Sequence, residues 1–275
     1  MSDGWLVLMS AVAGLVGAIS GMGSGVILIP CLTVSGIDIK HAIATSVLSV
    51  VAMSISASSN YVRGHLANLK ASAFLELFAV PGALAGATLA IAFKPPLLFV
   101  LCAIAFFISC VLLWKQRMRA ERFDRPPDTL SRTLELESSY YDYTERRTLS
   151  YHATATLPSG AFMFGTGVIS SMLGLGGSAL SVLVQELGMG VPPKVAATTS
   201  NLITGVMALA GASVYLEAGL IDPILVAPTI LGVFMGASVG SWLLVRLSNR
   251  LVLRIMIVIL FILGLEMLVH ATRGS

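Results

Sequence analysis

The chain has 275 residues, 56% of them hydrophobic and 11% charged, with a mean hydropathy of +0.89 and a formal charge of +3. Soluble domains carry roughly a quarter charged residues, so too few polar side chains remain here to cover a soluble surface. The small positive balance comes without a basic helix or stripe and excludes nucleic acid as a partner. It fits instead the Lys/Arg excess of cytoplasmic loops.

The opening Met1-Ser2-Asp3-Gly4 lacks the positive n-region of a secretory signal, so the first apolar run reads as retained. That run, 5–36, is longer than the roughly 20 residues needed to span a bilayer and is broken by glycine. Three candidate spans follow at 42–60, 71–93 and 97–114. The polar stretch 115–156 holds 8 of the 17 Lys+Arg and 7 of the 14 Asp+Glu, and reads as a loop outside the membrane with a short surface helix. A second overlong, glycine-broken run occupies 157–188, and spans at 195–215, 223–245 and 251–270 complete the series. Cys31, Cys102 and Cys110 all lie in apolar runs without a CxxC, so neither a disulfide framework nor a metal site is expected.

The features repeat in order. Ser20-Gly21-Met22-Gly23-Ser24-Gly25, then Ala44-Thr45-Ser46, Tyr61, Gly82-Ala83 and Gly86 are matched by Leu173-Gly174-Leu175-Gly176-Gly177-Ser178, Thr198-Thr199-Ser200, Tyr215, Gly236-Ala237 and Gly240. The offset is 153 residues at the first motif and 154 thereafter. The expected architecture is therefore an all-α integral membrane protein of two homologous repeats, 1–114 and 157–275, joined by a cytoplasmic loop, 115–156. Placing Lys115, Arg117, Arg119 and Arg122 in the cytoplasm sets the orientation. If 157–188 were a full span, Arg246, Arg250 and Arg254 would fall outside. If it is a re-entrant hairpin, those arginines and Lys194 fall inside. Each repeat then has one hairpin and three spans, and the repeats are inverted. Parallel repeats of four spans each are the alternative.

Inverted repeats bring equivalent motifs together near the midplane. Irregular backbone survives there only when buried or lining a wet cavity. Gly21, Met22, Gly23, Ser24 and Gly25, with Gly174, Leu175, Gly176, Gly177 and Ser178, are thus candidate substrate-binding residues. Each motif presents main-chain N–H groups at the start of a returning half-helix, which suits an anion. Thr45 and Ser46, with Thr199, Ser200 and Asn201, stand in the next span and can add hydroxyl and amide contacts. The competing readings are tight helix packing for the glycines and back-bonding to the i−4 carbonyl for the hydroxyls. The spacing of Gly82 and Gly86, and of Gly232, Gly236 and Gly240, is a helix-packing pattern that also leaves room for a homodimer.

Among ionisable groups inside spans, Glu76 is the candidate proton-coupling carboxylate, with local pairing to Lys70 or Arg63 as the alternative. Glu186 and Glu266 sit near segment ends, as do His41 and His65. Enzyme readings fail. The third glycine of a dinucleotide fingerprint would fall on Val26, and no histidine lies inside a span to activate Ser24. No cofactor is expected.

The run from Gly14 to Pro30, followed by Ala44-Thr45-Ser46 and echoed in the second half, resembles the sulfite exporter TauE/SafE family, also called toluene-sulfonate uptake permeases. The resemblance covers all but the polar loop. It implies a multi-pass transporter in the cytoplasmic membrane for sulfite, sulfoacetate, other organosulfonates or thiosulfate. An anion channel, or a carrier of carboxylates without sulfur, is the alternative. The serines of Gly23-Ser24-Gly25 and Gly176-Gly177-Ser178 depart from the family's glycine triplets, and Pro30 faces Leu183 in the second half.

Overall fold

The computed structural model describes residues 3–20, 23–63, 66–117, 128–142, 147–174 and 176–244, with six further positions between 258 and 269. The helices, in chain order, are α1 (Asp3–Ser20), α2 (Gly25–Val34), α3 (Ile39–Arg63), α4 (Leu69–Ala92), α5 (Pro95–Arg117) and the short α6 (Thr129–Thr133). After strands β1 (Ser138–Asp142) and β2 (Arg147–Tyr151) come α7 (Thr156–Leu173), α8 (Ser178–Leu183), α9 (Pro193–Glu217) and α10 (Pro223–Leu244). A π turn, Val184–Gly188, prolongs α8. Arg246, Arg250, Arg254, His65 and Glu266, which entered the orientation and charge arguments, lie outside the described residues.

Among the described residues, four helices contain segments long and apolar enough to cross a membrane: Ile39–Ser59, Leu69–Ala92, Lys194–Glu217 and Pro223–Leu243. Their burial separates them by role. The windows in α3 and α9 are 78% and 67% buried, those in α4 and α10 39% and 44%, so α3 and α9 form the centre and α4 and α10 keep an apolar outer face for lipid. Local chemistry sets the ends. Asn68 caps α4 by accepting from Ala71 N–H, and Asp222 accepts from Ile224 N–H at α10.

Two faces can be told apart from hydrogen bonds. Lys40 Nζ donates to Ile91 O, so the start of α3 lies beside the end of α4 (the far face). At the other end, Asn68 Nδ2 donates to Leu136 O and Tyr151 Oη, which puts the α3–α4 connection under the polar loop (the loop face). Thr198 Oγ1 donates to Leu66 O, so α9 starts at the loop face. Thr154, just before α7, donates from N–H to Met189 O, just after the π turn, so α7 and α8 leave and return on the loop face.

Glycine stripes decide the long packings. A Cβ on Gly82 or Gly86 would run into Phe164 O or Val168 O, so α4 lies along α7. A Cβ on Gly232, Gly236 or Gly240 would run into Val7 O, Ala11 O or Leu15 O, so α10 lies along α1. Both stripes are filled by the chain's own helices, and a homodimer would have to use another face. Within each half a buried tyrosine ties the third helical segment to the first. Tyr61 Oη donates to Ala18 O at 3.1 Å, and Tyr215 Oη to Ser171 O at 2.7 Å.

The polar loop holds more than the expected short surface helix. Besides the anticipated short helix it folds an antiparallel hairpin, with Ser138 opposite Tyr151 and Asp142 opposite Arg147. Asp128 fastens it down, accepting from Ser131 N–H, Thr156 N–H and Thr156 Oγ1.

Candidate functional site

The break between α7 and α8 is built from left-handed backbone. Gly174, Gly176 and Gly177 have φ of 66°, 78° and 64°, a region costly for any residue with a Cβ. Gly174 N–H donates to Ser170 O and stops α7. Gly23, just before α2, also has left-handed backbone, with φ of 92°. No side chain caps α2 at Ser24 or α8 at Gly177. In α2, Ile27 N–H turns back to Ser24 O, and helix starts of this kind leave first-turn N–H groups for other partners.

The two breaks meet. Ser46 Oγ on α3 donates to Gly174 O at 2.8 Å across the two halves. Gly25 is packed so closely that a Cβ would strike Gly174 O. The residues singled out in sequence, Gly23, Ser24, Gly25, Thr45, Ser46, Gly174, Gly176, Gly177, Ser178, Thr199, Ser200 and Asn201, are all buried. Gly21, Met22 and Leu175 lie outside the described residues.

Burial is shared, but bonding divides the set. Three hydroxyls have protein partners: Ser46 donates to Gly174 O, Thr199 Oγ1 accepts from Asn68 N–H at 3.0 Å, and Ser200 Oγ accepts from Gln185 Nε2 at 2.7 Å. The Oγ of Ser24 and Ser178, Thr45 Oγ1 and Asn201 Oδ1 are buried with no hydrogen-bond partner. An unsatisfied buried polar group costs about 1–3 kcal/mol. Four in one region, on equivalent elements of both halves, are a burden that packing alone does not require.

Glu76 lies half-buried on α4 and accepts from Ser72 Oγ at 2.6 Å. Lys70, one of its suggested partners, pairs with Glu135 of the loop instead. Gln185 escaped the sequence reading. It is fully buried in the π turn, donates to Ser200 Oγ, and leaves Oε1 without a partner. Its signal was available, since an amide inside an apolar segment is rare enough to be informative.

Residues 6–267 match the family model described as sulfite exporter TauE/SafE. The chain belongs to the sulfite exporter TauE/SafE family. A curated relative, the "Probable membrane transporter protein YunE" of Bacillus subtilis (strain 168), is 24% identical over 271 residues, covering 96% of both chains. No solved structure matches. A TauE/SafE protein is a membrane transporter and not an enzyme. With several helices long and apolar enough to cross a membrane among the described residues, this member is a multi-pass cell-membrane protein that moves a small molecule through the bilayer.

Proposed function

We propose that the chain is a secondary transporter of small sulfur-containing anions, sulfite, sulfoacetate or other organosulfonates, held between the two glycine breaks. The observation that carries this reading is the meeting of Gly25 and Ser46 with Gly174, beside buried hydroxyls that have no protein partner. Donors without a formal cation suit a singly or doubly charged oxyanion that must also be released. Because Gly25 and Gly174 are in contact, the breaks part to admit the anion.

The reading includes an inverted duplication, with repeats at 1–114 and 157–275 and a cytoplasmic loop at 115–156. Its support is the recurrence of the sequence offset in three dimensions. Gly82 against Phe164 corresponds to Gly236 against Ala11, Gly86 against Val168 to Gly240 against Leu15, and Gly167 against Ala79 to Gly14 against Val233. Opposed directions of α3 and α9 fit a two-fold axis in the membrane plane. Lys70, Arg132 and Lys194 at the loop face favour that face as cytoplasmic. Glu76 is the proposed coupling carboxylate.

Purified protein in proteoliposomes tests the function. Labelled sulfite or sulfoacetate is expected to accumulate with saturation. Flux for no sulfur anion, or only an unsaturable conductance, would overturn it.

A further inference from the structure

The corner at the end of α7 carries hydroxyls that the corresponding corner of the first half lacks. At the end of α7, Gly177 approaches Ser170, and Gly211 approaches Ser171, so closely that a Cβ on either glycine would run into the serine hydroxyl. The first half builds the same corner with the sizes redistributed. Gly17 stands where the second half has Ser170, and packs against the backbone of Ser24, the counterpart of Gly177. Ala18 and Ala57 take the places of Ser171 and Gly211. Thr204, whose methyl rests against Gly176, corresponds to Val50.

Beside these groups is a cavity lined by Val47, Ser170, Ser171, Gly176, Met207 and Ala208, with room for about one water molecule. Ser171, 4% exposed, lines this cavity and its Oγ has no hydrogen-bond partner; Thr204 Oγ1, fully buried next to Gly176, has none either. Alanine and valine at the matching first-half positions avoid that cost. The hydroxyls therefore answer to something other than folding.

We infer that Ser170 and Ser171, flanked by Thr204, are specificity-determining residues, and that their niche receives one oxygen atom of the transported anion. The inference rests on the reading of the glycine breaks as an anion site and refines it. A space of one water admits a single oxygen and not a whole tetrahedral group. The rest of the anion then lies between the parted breaks, where Ser24, Thr45 and Ser178 remain to be satisfied. The grip is asymmetric, because the first-half corner, built from Gly17 and Ala18, has no side-chain hydroxyl at those two positions to donate.

The counterpart residues provide replacements that this architecture already tolerates. Full-length Ser170→Gly, Ser171→Ala and Thr204→Val proteins, with Thr204→Ser as the hydroxyl-preserving partner, are reconstituted and assayed with labelled sulfite and sulfoacetate. Ser171→Ala is expected to raise KM about tenfold, the scale of one hydrogen bond to a charged group, with kcat and folded yield held. Ser170→Gly and Thr204→Val are expected to raise it less, and Thr204→Ser to restore it. Wild-type flux with unaltered KM in Ser171→Ala and Ser170→Gly would overturn the niche alone. No wild-type flux of either anion would overturn the niche together with the anion site.

Discussion

Under the proposed duplication the two ends of the bundle correspond, yet they differ in how they are fastened. At the loop face, Asn68 caps α4, donates its N–H to Thr199 on α9, and donates its side-chain amide to Leu136 O and Tyr151 Oη of the loop. Thr198 adds a bond to Leu66 O at 2.8 Å. At the far face the corresponding residues are Asp222, Thr45, Ala44 and Leu220. Asp222 caps its own helix through Ile224 N–H, Thr45 Oγ1 has no partner, and Ala44 has no hydroxyl. Among the described residues, then, one helix connection is bolted to the central helix of the other half and its counterpart is not. If the proposed site opens to the loop face, these bonds must break, whereas the corresponding far-face connection has no such bonds among the described residues. The bolt also occupies the hydroxyl of Thr199, whereas that of Thr45 is left over.

Substitutions that deny the shared scaffold should have the largest effect. Gly82→Leu and Gly236→Leu each drive a side chain into the backbone of the helix alongside, Phe164 O or Ala11 O. Overpacking against rigid backbone costs about 3 kcal/mol or more, so both are expected to lose folded protein in size-exclusion chromatography, and to similar degrees. If one were tolerated and its counterpart lethal, the correspondence between the halves would fail. Gly25→Val should be as damaging, because it strikes Gly174 O where the breaks meet.

Next in size is a pair that sharpens the difference between the faces. Thr199→Val removes the acceptor of Asn68 N–H and leaves that donor buried, at a cost of about 1–3 kcal/mol. Thr45→Val removes a hydroxyl that bonds to nothing, and should leave the melting temperature in detergent unchanged or raise it. Equal destabilisation by both would mean that the faces are fastened alike. Thr45→Val should nonetheless weaken anion uptake if its hydroxyl serves the substrate.

How far these contrasts could be read in sequence depends on the kind of contact. The glycine stripe of α4 announced a close helix neighbour, since small residues four apart have few other uses in an apolar helix. Which helix fills it, α7, is set by the tertiary pairing of the halves, which spacing does not specify. The breaks were legible at Gly23, Gly174, Gly176 and Gly177 because positive φ selects glycine. That Ser46 bonds to the opposite break while Ser200 is held by Gln185 was not, because those partners lie on other segments. At the sequence offset of 153 or 154 Gln185 has only Leu32 or Cys31 as a counterpart, so the proposed repeat gave it no echo. The β-hairpin was hidden by its charged surroundings, although Tyr140, Tyr141 and Thr148 are good strand formers.

The smallest expected effect concerns the edge of the bolt. Lys70, near the start of α4, pairs with Glu135 of the loop, and its hydrogen bond and charge hold the Glu135 carboxyl below its ordinary value of 4.5. A carboxyl lowered in the folded state favours folding above its ordinary pKa, and that contribution disappears as the pH falls through the lowered value. The pair is thus intact at neutral pH and fails only in acid. Both side chains are well exposed, 58% and 76%, so salt screens the attraction and its share in holding the loop is slight. Glu135→Gln should lower the melting temperature marginally at pH 7 and low salt, with no difference from wild type in high salt or below the carboxyl's pKa. Tyr151→Phe, which removes a buried acceptor of Asn68, should cost more than Glu135→Gln and resist salt. If salt erased both effects equally, the loop would be held by surface charge, and the bolt at Asn68 would not distinguish the two faces.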